Sequence, residues 1–117
     1  MKRLARSAAL LAALVIALVW TTVPVSAQNK PTEIPVTIEN NRFKPEEIKV
    51  KAGEPFVLVV TNKDAKPEEV ESKDLRIEKV VPGGKTASIR VRALKPGTYT
   101  FFGEYNPKTA QGRIVAE

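Results

Sequence analysis

Two glutamates stand two residues apart in the stretch PEEVESKD, at Glu69 and Glu71, and a third acid, Glu104, opens the loop Gly-Glu-Tyr-Asn-Pro. If residues 68–72 are extended, Glu69 and Glu71 project to one face and Val70 to the other. Their stems then lie about 7 Å apart, close enough for flexible carboxylates to converge on one cation. Glu104 would add a third hard oxygen, and Tyr105 and Asn106 are possible supports. Such an all-oxygen set selects Fe(III), Mn(II), Ca(II) or Mg(II) over Cu(I), and three carboxylates would neutralise a trivalent ion. The competing reading is a solvated mixed-charge loop, because Lys63, Lys66, Lys73, Arg76 and Lys79 lie among the acids Glu68, Glu69, Glu71 and Asp74.

Other chemistries lack their residues. The 117 residues contain no Cys and no His, so the sequence offers neither a thiolate nucleophile nor an imidazole base. No G-x-S-x-G and no phosphate-binding P-loop occurs, and Ser72 and Ser88 have no partner base nearby. Paired carboxylates can do acid–base work, but a domain of this size leaves little room for a deep dry cleft. The expectation is a protein that is not an enzyme.

The elements that must position these acids follow from the chain's punctuation. Lys2, Arg3 and Arg6 precede an apolar run from Ala8 to Trp20, and Val25-Ser26-Ala27 supplies small residues. This reads as a signal peptide over 1–27 with cleavage after Ala27, since a membrane span needs roughly 20 apolar residues. An uncleaved anchor is the alternative, in which case alone the protein is expected at a membrane. The implied location is periplasmic or secreted. Removing 27 of 117 residues leaves 90, enough for one small core. The formal charge of +6 loses three positives with the signal, and the remainder does not call for nucleic acid.

Residues 28–33 read as a polar linker, and 34–117 as a single domain with period-two patterning. IPVTIE, EIKVKAGE, TASIRVRAL and GTYTFF alternate apolar and polar residues, while FVLVVTN reads as a strand buried on both faces. Gly and Pro break the pattern every 8–12 residues, as at Pro82-Gly83-Gly84 and Pro96-Gly97. Only 64–75 could hold one helical turn. The class is all-β, a Greek-key β-sandwich of about seven strands. Tyr99, Phe101 and Phe102 are expected as packing residues, and Arg90 and Arg92 as a solvated strand face.

The order of landmarks resembles a cupredoxin. NRFKPEEIKVKAGEPFVLVVTNKD is similar to the opening half of that family, and LKPGTYTFFGEYNPKTAQGRIV to its closing half. The resemblance implies positions for the four type 1 copper ligands, two His, a Cys and a Met. They fall at Glu68, Asn106, Gly103 and Ala110, so the soft ligand set is replaced and type 1 copper is not expected. PEEVESKDLRIEKVVPGGKT and LKPGTYTFFGEYNP resemble the subgroup of periplasmic EfeO-type iron-transport cupredoxin domains. That subgroup implies Glu69, Glu71 and Glu104 as ligands for Fe(III) or Cu(II), with Asn106 standing where a His is common. It also implies a membrane iron permease or periplasmic uptake partner. The reading from a different class is a metal-free β-sandwich serving as an interaction module.

Overall fold

The structure is a computed structural model that describes residues 15–22 and 30–117. Most of the segment read as a signal peptide, and the expected cleavage point after Ala27, lie outside the described residues. Residues 15–22 carry no regular secondary structure, and among the described residues no helix is long and apolar enough to cross a membrane.

The domain is all-β, with nine strands. They are β1 (Thr32–Glu39), β2 (Arg42–Lys44), β3 (Glu47–Val50), β4 (Phe56–Asn62), β5 (Glu68–Ser72), β6 (Ile77–Val81), β7 (Thr86–Val91), β8 (Gly97–Gly103) and β9 (Gln111–Ala116). One sheet has the order β2-β1-β4-β7, the other β3-β9-β8-β5-β6. The pairs β1–β4 and β3–β9 are parallel, and every other pair is antiparallel. The expected β-sandwich is therefore present.

The count exceeds about seven for local reasons. Pro45, which cannot donate to a ladder, separates the short strands β2 and β3. Residues 68–81, with no glycine to announce a turn, fold as the β5–β6 hairpin instead of a loop with a helical turn. Its turn closes through Ser72, whose Oγ accepts from the Leu75 N–H at 3.1 Å and donates to the Thr100 carbonyl at 2.7 Å. Arg76 takes a left-handed conformation there, with φ of 55°. β1 begins at Thr32, so the end of the expected linker is already strand.

Alternation puts Val36, Ile38, Leu58, Val60, Ile89 and Val91 from the first sheet against Ile48, Val70, Val81, Phe101 and Ile114 from the second. Full burial of each such side chain contributes about 1.5–3 kcal/mol. The sheets are bridged by the rings of Phe43 and Phe101, edge to face with centroids 4.9 Å apart. β4 is buried on one face only; Val57 and Val59 on its other face are half-covered.

Asn62 and Asp64 fix the end of the sandwich that leads into β5. The buried Asn62 amide donates to the carbonyls of Lys66 and Val81 and accepts from the Asp64 N–H. Asp64 in turn accepts from the N–H groups of Asn40 and Asn41, both at 2.9 Å. Those two residues form the β1–β2 turn with φ of 53° and 56°. This network sets where β5 begins, and hence which of its glutamates face inward.

A buried carboxylate and an exposed carboxylate cluster

β5 alternates strictly: Glu68, Val70 and Ser72 are buried, while Glu69 and Glu71 are half-exposed on the outer face. The burial of Glu68, only 2% exposed, runs against the expectation of a solvated loop acid. Its carboxylate is fully engaged. Oε1 accepts from the Tyr105 N–H at 2.9 Å and from the Glu69 N–H at 3.0 Å, and Oε2 accepts from the Asn106 side-chain amide at 2.7 Å. Hydrogen bonds to an ionised acceptor are the stronger kind, as burial of a carboxylate demands.

The four positions at which the cupredoxin resemblance implies copper ligands, Glu68, Gly103, Asn106 and Ala110, do come together, around this carboxylate. A Cβ built on Gly103 would lie 2.6 Å from the Glu68 carboxyl carbon and 2.6 Å from the Ala110 Cβ. Gly103 is there because no side chain fits beside Glu68. The loop closes over the same point through Gly103 N–H to the Ala110 carbonyl (2.8 Å) and Ala110 N–H to the Asn106 carbonyl (2.8 Å). Glu68 thus fills the space among Gly103, Asn106 and Ala110.

Asn106 is accordingly not with the other expected ligands; its amide is spent on Glu68. Glu69, Glu71 and Glu104 do gather on the outer face. β5 pairs with β8 at Val70 and Gly103, and the Glu104 N–H donates to the Glu69 carbonyl at 2.9 Å. A fourth acid, Glu78, joins them from β6, directly opposite Glu71. Sequence reasoning missed it because the β5–β6 register was not visible; the Ile77-Glu78 alternation after Leu75 was the available signal.

Mutual repulsion marks this cluster. The Glu71 carboxyl is held above the ordinary value of 4.5, first by hydrogen bonding with the Glu104 carboxyl, then by partial burial and the charges of Glu104, Glu69 and Glu78. Glu69 is raised by partial burial, then by hydrogen bonding and charge from Glu78 and by the charge of Glu104, against a lowering hydrogen bond from the Tyr105 hydroxyl. Tyr105 is raised by partial burial and next by the charge of Glu69. Among the described residues the ion pairs are Lys44–Glu39, Lys51–Glu54 and Arg113–Glu47, so the neighbouring lysines do not pair with this cluster. Among the described residues no three His, Cys, Asp or Glu side chains already surround one point.

Comparison with known proteins places this geometry. The family model described as "Cupredoxin-like domain" matches residues 10–116. An uncharacterized protein of Rickettsia prowazekii (strain Madrid E) is 35% identical over 92 residues, covering 79% of this chain and 74% of that protein. Among solved structures, the blue copper protein auracyanin A of Chloroflexus aurantiacus superposes with a TM-score of 0.63 at 15% identity, over 75% of this chain and 100% of its own. The metal-binding domain of the Streptococcus pneumoniae D39 Cu(I)-exporting P-type ATPase CopA, solved with Cu(I), gives 0.65 at 17% identity, over 79% and 91%. An oxidised amicyanin variant gives 0.59 at 21%, over 72% and 81%. At these identities the structural likeness speaks for the fold.

Proposed function

The chain belongs to the cupredoxin-like family, and from that premise we propose that it binds an oxidised hard cation, Fe(III) or secondarily Cu(II), through surface carboxylates as an accessory to metal uptake. The observation that carries this reading is the unneutralised group of Glu69, Glu71, Glu78 and Glu104 on one face. Carboxylates whose mutual repulsion raises their proton affinity are relieved of that repulsion when a cation enters between them. Glutamate stems are long enough to turn carboxylates on one sheet face toward one ion. Oxygen donors, with the Tyr105 hydroxyl in reach of Glu69, fit a hard trivalent ion.

A type 1 copper centre does not fit these residues. The chain has no thiolate and no imidazole to offer, and the space beside Gly103 is taken by the Glu68 carboxylate. Metal here is cargo held at the surface, where it can be passed on. The implied setting is periplasmic or secreted, and the implied recipient a membrane iron permease or a periplasmic uptake partner. The reading is of a binding protein rather than an enzyme.

Val80, 44% exposed and opposite Glu69 in the ladder, favours a second reading in which the same face docks a protein without metal. Calorimetric titration with Fe(III)-citrate and with Cu(II) separates the two. Saturable heat that weakens about tenfold or more in Glu104→Ala is expected, since one charged ligand is worth over 1.4 kcal/mol. No heat with either metal would overturn the cation reading and leave the docking module.

A further inference from the structure

The other strongly charged feature of the molecule is basic, and it lies where the β5–β6 turn approaches strand β7. Lys73, Asp74, Leu75, Arg76, Arg90 and Arg92 line a concavity of about 610 Å³. Four of these six residues are cations and one is an acid. Arg90 and Arg92 share a face because they are two apart on an extended segment. Arg76 reaches the same space because its left-handed backbone turns the hairpin there.

Arg92 is fixed in the wall. Its guanidinium donates to the carbonyls of Leu75 (3.4 Å) and Asp74 (3.3 Å), which ties the two sheets together and leaves its remaining N–H donors free. Asp74, the acid present, has its Oδ2 engaged by the Thr100 N–H at 3.3 Å and the Thr100 hydroxyl at 3.5 Å. Lys73, Arg76, Arg90 and Arg92 have no carboxylate partner among the described residues. Four cations lining the same concavity as one carboxylate leave a net positive charge there, which is suited to an anion.

We propose that this concavity binds a phosphate group. Guanidinium forks match the paired oxygens of a tetrahedral oxyanion, and an arginine already ordered by backbone carbonyls loses little freedom in doing so. The anion bridges Arg90 of β7 and Arg92 just after it to Arg76 and Lys73 of the turn. The same chemistry is available from free phosphate and from an anionic lipid headgroup. The site is independent of the carboxylate cluster and of any metal held there.

The test follows amide chemical shifts of the full chain during titration with inorganic phosphate, ionic strength being held constant with sodium chloride. Saturable shifts confined to residues 73–76 and 90–92 are expected. Arg90→Gln, at an exposed position with no partner, should weaken them about tenfold, the loss of one charge-assisted contact, while melting as the wild type does. A second variant, Arg76→Gln, should act alike. Shifts that chloride alone reproduces, or that persist unchanged in both variants, would overturn the site, as would the absence of saturable shifts. Sedimentation with phosphatidylglycerol and phosphatidylcholine vesicles identifies the source. Retention on phosphatidylglycerol that Arg90→Gln lowers indicates a headgroup, and shifts without such retention indicate a soluble phosphate.

Discussion

The carboxylate of Glu68 accepts a hydrogen bond from the side-chain amide of Asn106, 38 residues away, at 2.7 Å. Both residues occupy positions at which family resemblance sets metal-binding histidines, and they hold each other instead. The contact joins β5 to the loop after β8 beneath the exposed acids, so the stability of that loop depends on it.

Glu68→Ala is therefore expected to destabilise the domain by about 3 kcal/mol, because it leaves the N–H groups of Glu69 and Tyr105 and the Asn106 amide without their acceptor at a part-buried site. Glu68→Gln should cost less, since it keeps the volume and one acceptor. Urea denaturation of both variants checks the order. Equal losses would mean that the second acceptor oxygen and the negative charge, which both variants lose, outweigh the side-chain volume at this position.

Gly103→Ala is expected to lose about 1–3 kcal/mol through overpacking, as the new methyl meets the Ala110 Cβ and the Glu68 carboxyl carbon at 2.6 Å. Ala110→Gly combined with Gly103→Ala should recover only part of this, because the Glu68 contact remains. Thermal melting of the single and double variants reads the coupling.

Glu69 and Glu71 bind protons more tightly in the folded chain than at the ordinary value of 4.5. Between that value and their raised folded values the native state holds more protons than the unfolded state. Their contribution to stability thus falls as pH rises through this window and is fully present below it. Glu104→Gln, which removes the leading cause of the Glu71 shift, should flatten the fall. Melting temperature against pH in metal-free buffer is the measurement, and a variant at least as steep as wild type would contradict the assignment.

Cation binding should follow the same window with inverted sign, strengthening as pH rises because bound protons must leave. Addition of Cu(II) should produce no intense blue colour at any pH, since that absorption needs a thiolate and the chain has none. Visible absorption during the titration is sufficient to test it.

Asp64→Ala is expected to cost about 1–2 kcal/mol, the loss of two hydrogen bonds to an ionised acceptor at a partly exposed site. The N–H groups of Asn40 and Asn41 would pass to solvent and the start of β5 would loosen. Hydrogen exchange at residues 40, 41 and 64 should quicken first.

What could be read in advance followed from period two and from landmark order. Ile34, Val36 and Ile38 alternate as the core requires, and Glu69 and Glu71 fall on one outer face with Glu104 beside them. Glu78 and the inward turn of Glu68 were not legible, because both depend on cross-strand register. That register is set by a turn whose left-handed residue is Arg76 rather than glycine, and by the Asn62 amide bridging to Val81. The basic concavity was hidden for the same reason. Arg90 and Arg92 look like an ordinary solvated face until the Lys73–Arg76 turn is brought against them.

Glu68 and Glu69 are neighbours with one chemistry and opposite fates, a buried anchor within and a half-exposed acid without, separated by a single step along β5. Inserting or deleting one residue between Asp64 and Glu68 would exchange them, because a one-residue slip turns every side chain of a strand over. The fold is therefore expected to tolerate changes of composition here better than changes of length. The outer acids can change identity one at a time, whereas the segment from Asp64 to Glu68 can change only by substitution or by whole pairs of residues.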